Sequence, residues 1–144
     1  MSNITNILPS YLDVATIEEK TVFFKVLLHL ADTDGFTDEN EITFIKEAAQ
    51  TQGIDLSTLE GFDNEEKVLK EVKIIKNRHL ALELIREMCM LSHVDNILSD
   101  EETLFIGKTG IALGIEMEKI EQISNWVIDH IFWLEQAKVI FEER

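Results

Sequence analysis

The chain is short of the residues that would staple it or break it up. It has one cysteine, one proline and six glycines in 144 residues. A lone cysteine cannot close an internal disulfide, which points to a reducing, cytoplasmic setting. That residue, Cys89, stands in the apolar run Met88-Cys89-Met90-Leu91. No polar group is placed to activate a thiolate there, so it reads as a small core residue. The one proline is Pro9, so every helical pattern after it runs unbroken. Long hydrophobic runs are missing too. None reaches the roughly 18 uncharged apolar residues of a membrane span, and the greasiest, Val22 to Leu30, contains Lys25 and His29. The opening residues, Met1-Ser2-Asn3-Ile4-Thr5-Asn6, carry neither a basic stretch nor an apolar core, and are not expected to act as a secretory signal.

Positive charge is the remaining scarcity. Thirteen Lys+Arg stand against 28 Asp+Glu, a formal net charge of −15. Such a chain repels DNA, RNA and anionic membrane surfaces on average, so neither nucleic acid nor direct membrane insertion is expected. Metal cations or a basic partner protein are the favoured counterparts. The plainer alternative is that the acids only keep the chain soluble. The length suits one domain over residues 1–144, long enough to bury about two-thirds of its unfolded surface.

What is present is helical periodicity. Val22, Phe23, Val26, Leu27 and Leu30 fall on one side of a helix. So do Ala81, Leu84, Ile85, Met88 and Leu91, and so do Ile120, Ile123, Val127, Ile131 and Leu134. No stretch alternates with period two, so no sheet is expected. Thr16-Ile17-Glu18-Glu19, Ser57-Thr58-Leu59-Glu60 and Ser99-Asp100-Glu101-Glu102 have the form of capping boxes, in which hydroxyl and glutamate satisfy free N–H groups at a helix start. Asp38-Glu39-Asn40-Glu41 and Asp63-Asn64-Glu65-Glu66 place an aspartate in the cap position. Gly53 and Gly114 suit left-handed helix ends. The expected fold is all-α, a single bundle of about seven helices: near 4–13, 17–31, 38–52, 57–75, 78–92, 99–113 and 116–142.

Shifted by 61 residues, the sequence overlays itself. Ala31-Asp32-Thr33-Asp34-Gly35 lies over Ser92-His93-Val94-Asp95-Asn96, Glu41 over Glu102, Phe44-Ile45 over Phe105-Ile106, and Gly53-Ile54 over Gly114-Ile115. The six identities in 24 positions fall on a loop aspartate, a helix-start glutamate, two core positions and a helix-ending glycine with the isoleucine after it. Asn96 replaces Gly35, and asparagine tolerates the left-handed conformation best among non-glycine residues. An internal repeat follows, about 17–75 and about 78–142, with an approximate two-fold in which each copy buries the other's apolar face.

Each copy has an acidic interhelical loop: Asp32, Asp34, Asp38 and Glu41 in the first, and Asp95, Asp100, Glu101 and Glu102 in the second. Hard cations want several oxygens, so Ca²⁺ or Mg²⁺ is a better candidate than Zn²⁺. The EF-hand is the obvious template. With Gly35 on its invariant glycine, Asp32, Asp34, Asp38 and Glu41 take the third, fifth, ninth and twelfth loop positions. The first position, which needs a ligating aspartate, is Leu30 in one copy and Leu91 in the other, so a standard EF-hand is not expected. The structural alternative stays open: Glu41 and Glu102 as caps at the third helical position, and Asp34 and Asp95 as Asx-turns. Asp32 has no such structural duty.

Asp34-Gly35 followed by Glu41, Ile42, Phe44 and Ile45, and repeated as Asp95-Asn96, Glu102 and Phe105-Ile106, resembles the tellurite-resistance TerB-like family over roughly residues 17–135. The resemblance implies an all-helical fold with pseudo-two-fold symmetry. It also implies divalent-cation binding through acidic residues and a non-enzymatic role in stress-response or tellurite-resistance complexes, with a protein partner often near a membrane. A related domain occurs in a membrane-anchored DnaJ-like co-chaperone. Carried over residue by residue, the resemblance implicates Asp34, Glu41, Asp95 and Glu102. Spacing alone adds Asp32.

His29, His79, His93 and His130 show no His-x-x-x-His spacing and read as surface or core residues, with His93 the one nearest an acidic loop. Gly107-Lys108-Thr109 lacks the earlier glycine and the strand of a phosphate loop. The last helix carries a second apolar stripe, Trp126, Trp133, Ala137 and Ile140, beside its core stripe. Either both stripes are buried within the domain, or the tryptophan side engages a partner or a second copy, as in a homodimer. Three functions therefore compete: a cation-binding interaction module, a purely structural or interaction domain, and a metal-dependent hydrolase. The last is disfavoured because no Glu-x-x-His pair is present.

Overall fold

In the computed structural model, residues 10–33, 39–56, 64–93 and 99–142 are described. All regular structure among them is helical, and none of it is strand. A 3₁₀ turn at Tyr11–Val14 leads into α1 (Ile17–Asp32) and α2 (Glu39–Thr51). Next come α3 (Glu65–Glu71), continued by a 3₁₀ turn at Val72–Ile74, and α4 (Arg78–His93), α5 (Asp100–Ala112) and α6 (Met117–Ile140). The described residues thus hold six α-helices where seven were expected. The first expected helix is represented only by the 3₁₀ turn, since residues 1–9 lie outside the described residues. The expected helix over 57–75 is described from Asn64 onward and tightens to 3₁₀ at Val72.

The helix starts follow the capping chemistry. At α1 the Thr16 hydroxyl accepts the Glu19 N–H at 3.1 Å, while the Glu19 carboxylate accepts the Thr16 N–H at 2.9 Å. Ser99 and Glu102 repeat this at α5, each bond 3.0 Å long. At α3 the cap is Asn64 rather than Asp63. Asn64 has extended backbone and its side-chain oxygen accepts the Lys67 N–H at 3.2 Å, because the helix begins at Glu65. The Ser57 capping box, Asp38 and Asp63 lie outside the described residues. Gly53 and Gly114 have φ of 81° and 76°. Each lets the following isoleucine N–H return to the carbonyl five residues back, Ile54 to Ala49 and Ile115 to Gly110, both at 2.9 Å. That 6→1 bond closes a Schellman helix end.

α1 and α4 form the centre. Phe23, Val26 and Leu30 of α1 and Leu80, Leu84, Ile85 and Met88 of α4 are almost fully buried. α1 packs on α2, α3 and α4, and α4 packs on α5 and α6. Removing such side chains from water contributes about 25 cal/mol per Å² of apolar area, so this seam carries much of the stability. Cys89 of α4 is buried too. No helix among the described residues is long and apolar enough to cross a membrane.

α1 and α4 each contain 16 residues and open 61 positions apart, at Ile17 and Arg78. α2 and α5 each contain 13 and open at the same offset, at Glu39 and Asp100. One pair of aligned core positions departs from expectation. Phe105 is fully buried, whereas Phe44 is 63% exposed. The reason is in the packing: α5 lies against α3, α4 and α6, while α2 packs chiefly on α1. Among the described residues, Phe44 therefore lacks the flanking helices that cover Phe105. Gly110, aligned with Ala49, is the reciprocal case. A Cβ there would collide with the Ile120 side chain, so Ile120 of α6 fills the space that an alanine methyl would need.

Candidate functional site

Of the acidic residues singled out above, Asp32 is the last residue of α1 and Glu41 lies in the first turn of α2. Asp34 and Asp95 lie outside the described residues. Glu102 has a structural duty, since its carboxylate accepts the Ser99 N–H in the capping box. Among the described residues, no three His, Cys, Asp or Glu side chains gather as a metal-holding group. One atom nearby stands out. The Nε2 of His93, at the end of α4, is buried and has no hydrogen-bond partner among the described residues. Burial pushes this imidazole below its usual titration range, against the opposing pull of the Glu102 carboxylate.

The tryptophan side of α6 is open. Trp126 is 43% exposed and Trp133 56%. The two are not isolated. His130, which is buried, lies between them, its ring 5.7 Å from Trp126 at 5° and 6.3 Å from Trp133 at 22°. Spacings of four and three residues place the rings one above another on one helix face. Ile128, Phe132, Val139 and Ile140 are also exposed, so the distal half of α6 presents apolar surface on both flanks of its buried stripe. Exposed apolar surface of this extent is characteristic of an interaction site.

Trp126 also walls a cavity of about 440 Å³ between α4, α6 and the N-terminal 3₁₀ turn. Tyr11, His79, Leu82 and Ile123 supply the other apolar walls, and Arg86, Lys119 and Gln122 line it as well. The Tyr11 and His79 rings stack at 4.7 Å and 13°. What holds Tyr11 in place is Glu83, a buried carboxylate on α4. One oxygen accepts the Tyr11 N–H at 2.7 Å. The other accepts the Ser10 hydroxyl at 2.7 Å and lies 3.8 Å from the Arg86 guanidinium. Ser10 in turn accepts the Leu12 N–H at 3.3 Å and so caps the 3₁₀ turn. A buried charge is tolerated when its oxygens are hydrogen-bonded in this way. The arrangement offers a preformed apolar recess beside an exposed aromatic face, which suits recognition of an apolar side chain.

Comparison with known protein families, curated proteins and solved structures finds no match to this chain. Sequence reasoning singled out Trp126 and Trp133 but missed the cavity. A signal for it was present: Glu83 falls between Leu80 and Leu84 on the apolar face of α4, where an ionised side chain calls for partners. That those partners come from Ser10 and Tyr11 could not be read from spacing.

Proposed function

We infer that this protein is a non-enzymatic interaction module that docks a protein partner on the outer face of α6. The observation that carries the reading is the exposure of Trp126 and Trp133, stacked on His130 beside the Tyr11–His79 cavity. Tryptophan next to a preformed recess is the composition of an interface hot spot. The test is photo-crosslinking in the native host, with a benzophenone amino acid at Phe132 and a control at Lys46, on the surface of α2. A specific adduct from position 132 that disappears in the Trp126→Ala/Trp133→Ala variant supports the reading. Equal labelling from both positions overturns it.

A second reading is a divalent-cation site in the interhelical loops, of the kind the TerB-like resemblance implies, with a role in a stress or metal-resistance complex. The unpartnered Nε2 of His93 beside the charge of Glu102 favours it, as do the equal helix lengths at the 61-residue offset, which support two copies related by an approximate two-fold. The test is calorimetric titration of Ca²⁺, Mg²⁺ and Zn²⁺ into chelator-stripped protein and into an Asp34→Asn/Asp95→Asn variant. Saturable binding lost in the variant supports a cation site. Absence of binding by folded wild type removes it and leaves the glutamates as helix caps.

A further inference from the structure

The chain is strongly acidic, yet its positive charge is concentrated. Five of its 13 Lys+Arg residues (Lys67, Lys70, Lys73, Lys76 and Arg78) fall within the short stretch that forms α3, the 3₁₀ turn after it and the start of α4. Two of the glutamates near them are already engaged. Glu71 faces Lys25 of α1 at 3.9 Å, and Glu65 pairs with Lys108 of α5 at 3.0 Å. Lys70 and Lys73 make no ion pair among the described residues and are exposed.

These lysines line a groove. Between α3 with its 3₁₀ continuation and α5 lies a recess of about 360 Å³. Leu69, Ala112 and Ile111 give it an apolar surface, Lys70, Lys73 and Lys108 supply three cations against the one carboxylate of Glu66, and Lys108 is the lysine that Glu65 holds. Ile111 is 68% exposed. This surface includes neither tryptophan and stands apart from the α6 face.

The geometry points to this groove as a docking site for an acidic amphipathic segment of a partner protein. Apolar side chains of that segment lie on Leu69 and Ile111, and its carboxylates pair with Lys70 and Lys73, the groove lysines that Glu65 does not already hold. Charge complementarity chooses this occupant. Lys70 and Lys73 attract carboxylates on a chain whose net charge of −15 repels them on average, so an acidic segment is drawn to this groove. A free anion would leave the apolar surface unused. A nucleic acid brings dense phosphate charge against a chain whose net charge is −15.

The experiment is fluorescence anisotropy of a fluorescein-labelled peptide with leucine at every third or fourth position and glutamate elsewhere. A peptide with lysine in place of each glutamate serves as control. The full chain is compared with Lys70→Glu/Lys73→Glu and Ile111→Asp variants, each checked by circular dichroism for an unchanged helical signal. Saturable binding of the glutamate peptide only, weakened roughly tenfold or more in both variants and at high salt, supports the proposal. Absence of saturable binding overturns it, as does binding that the variants leave unchanged. Two further outcomes also overturn it: tighter, lysine-dependent binding of a labelled oligothymidine, or self-association of the unmixed protein that Ile111→Asp abolishes in sedimentation velocity. The first would make the groove a nucleic-acid site and the second an interface between copies.

Discussion

The carboxylate of Glu83 accepts the backbone N–H of Tyr11 at 2.7 Å across 72 residues of chain. With the Ser10 hydroxyl on its other oxygen, it fastens the N-terminal 3₁₀ turn to α4 and sets the Tyr11 wall of the cavity. Glu83→Ala removes the acceptor for both donors, and hydrogen bonds to a charged group are worth about 1.5–3 kcal/mol each. The expected loss is about 2–4 kcal/mol in urea denaturation, because water partly replaces the lost acceptor. Glu83→Gln keeps the shape and an acceptor for one donor and is expected to lose less. Equal stability of all three proteins would mean that the turn is not fastened here.

Cys89 gives a pH-dependent prediction. Burial pushes its thiol up to about 11, in spite of a hydrogen bond from Ser124 that favours the thiolate. At pH 8 only about a thousandth of a thiol with that pKa is ionised, so native protein is expected to react with Ellman's reagent only after denaturant is added. Because the folded pKa lies above the unfolded one, stability is whole below pH 9 and falls as pH rises from there toward 11. Subtracting the same curve for Cys89→Ala isolates this contribution. A flat difference between pH 8 and 11 would contradict the burial.

Two glycines of α5 are expected to behave oppositely. A Cβ at Gly110 meets the buried Ile120 side chain, and overpacking of this kind costs about 1–3 kcal/mol. Nothing lies within 4 Å of a Cβ at Gly107, so Gly107→Ala is expected to stabilise by about 0.5–1 kcal/mol through the helix propensity gained. Thermal melts of the two single variants decide. If both shift the melting temperature in the same direction, the seating of Ile120 against Gly110 is wrong.

The aligned phenylalanines separate the two halves. Phe105→Ala opens a cavity in a fully buried site packed on His29, with ring centroids 4.7 Å apart, and is expected to cost about 3–5 kcal/mol. Phe44→Ala removes an exposed ring and should stay within about 0.5 kcal/mol. Comparable losses in chemical denaturation would show that α2 is covered by more than α1.

Glu102 allows capping and cation binding to be told apart. Glutamine preserves a capping box, so Glu102→Gln should leave the unfolding midpoint nearly unchanged, whereas Ser99→Ala should cost about 1 kcal/mol. If calorimetry shows that wild type binds a cation, loss of that binding in Glu102→Gln at unchanged stability assigns the carboxylate to both duties.

Helices were legible wherever a local rule sufficed. The periodic stripes of α1, α4 and α6, the capping boxes at Thr16 and Ser99, and the left-handed ends at Gly53 and Gly114 depend on residues a few positions apart, and the structure places each as expected. The positions misjudged, left open or missed are those decided by a third element. Whether Phe44 is covered depends on which helices flank α2, which its own neighbours do not encode. Whether Trp126 and Trp133 are buried depends on what lies outside α6. Glu83 needed a partner 73 positions away. The lysine groove was missed because a net charge averages over a surface that is unevenly charged.

Both tryptophans of the chain lie on one helix, and both face outward. The protein's intrinsic emission therefore reports α6 and the cavity beside it rather than the α1–α4 seam. A native spectrum already shifted to the red is expected, and a folding transition followed by that emission would report the docking of α6 on α4 rather than the collapse of the α1–α4 seam. The same arrangement makes the dye-free fluorescence of the wild-type chain a built-in sensor of whatever settles on that helix.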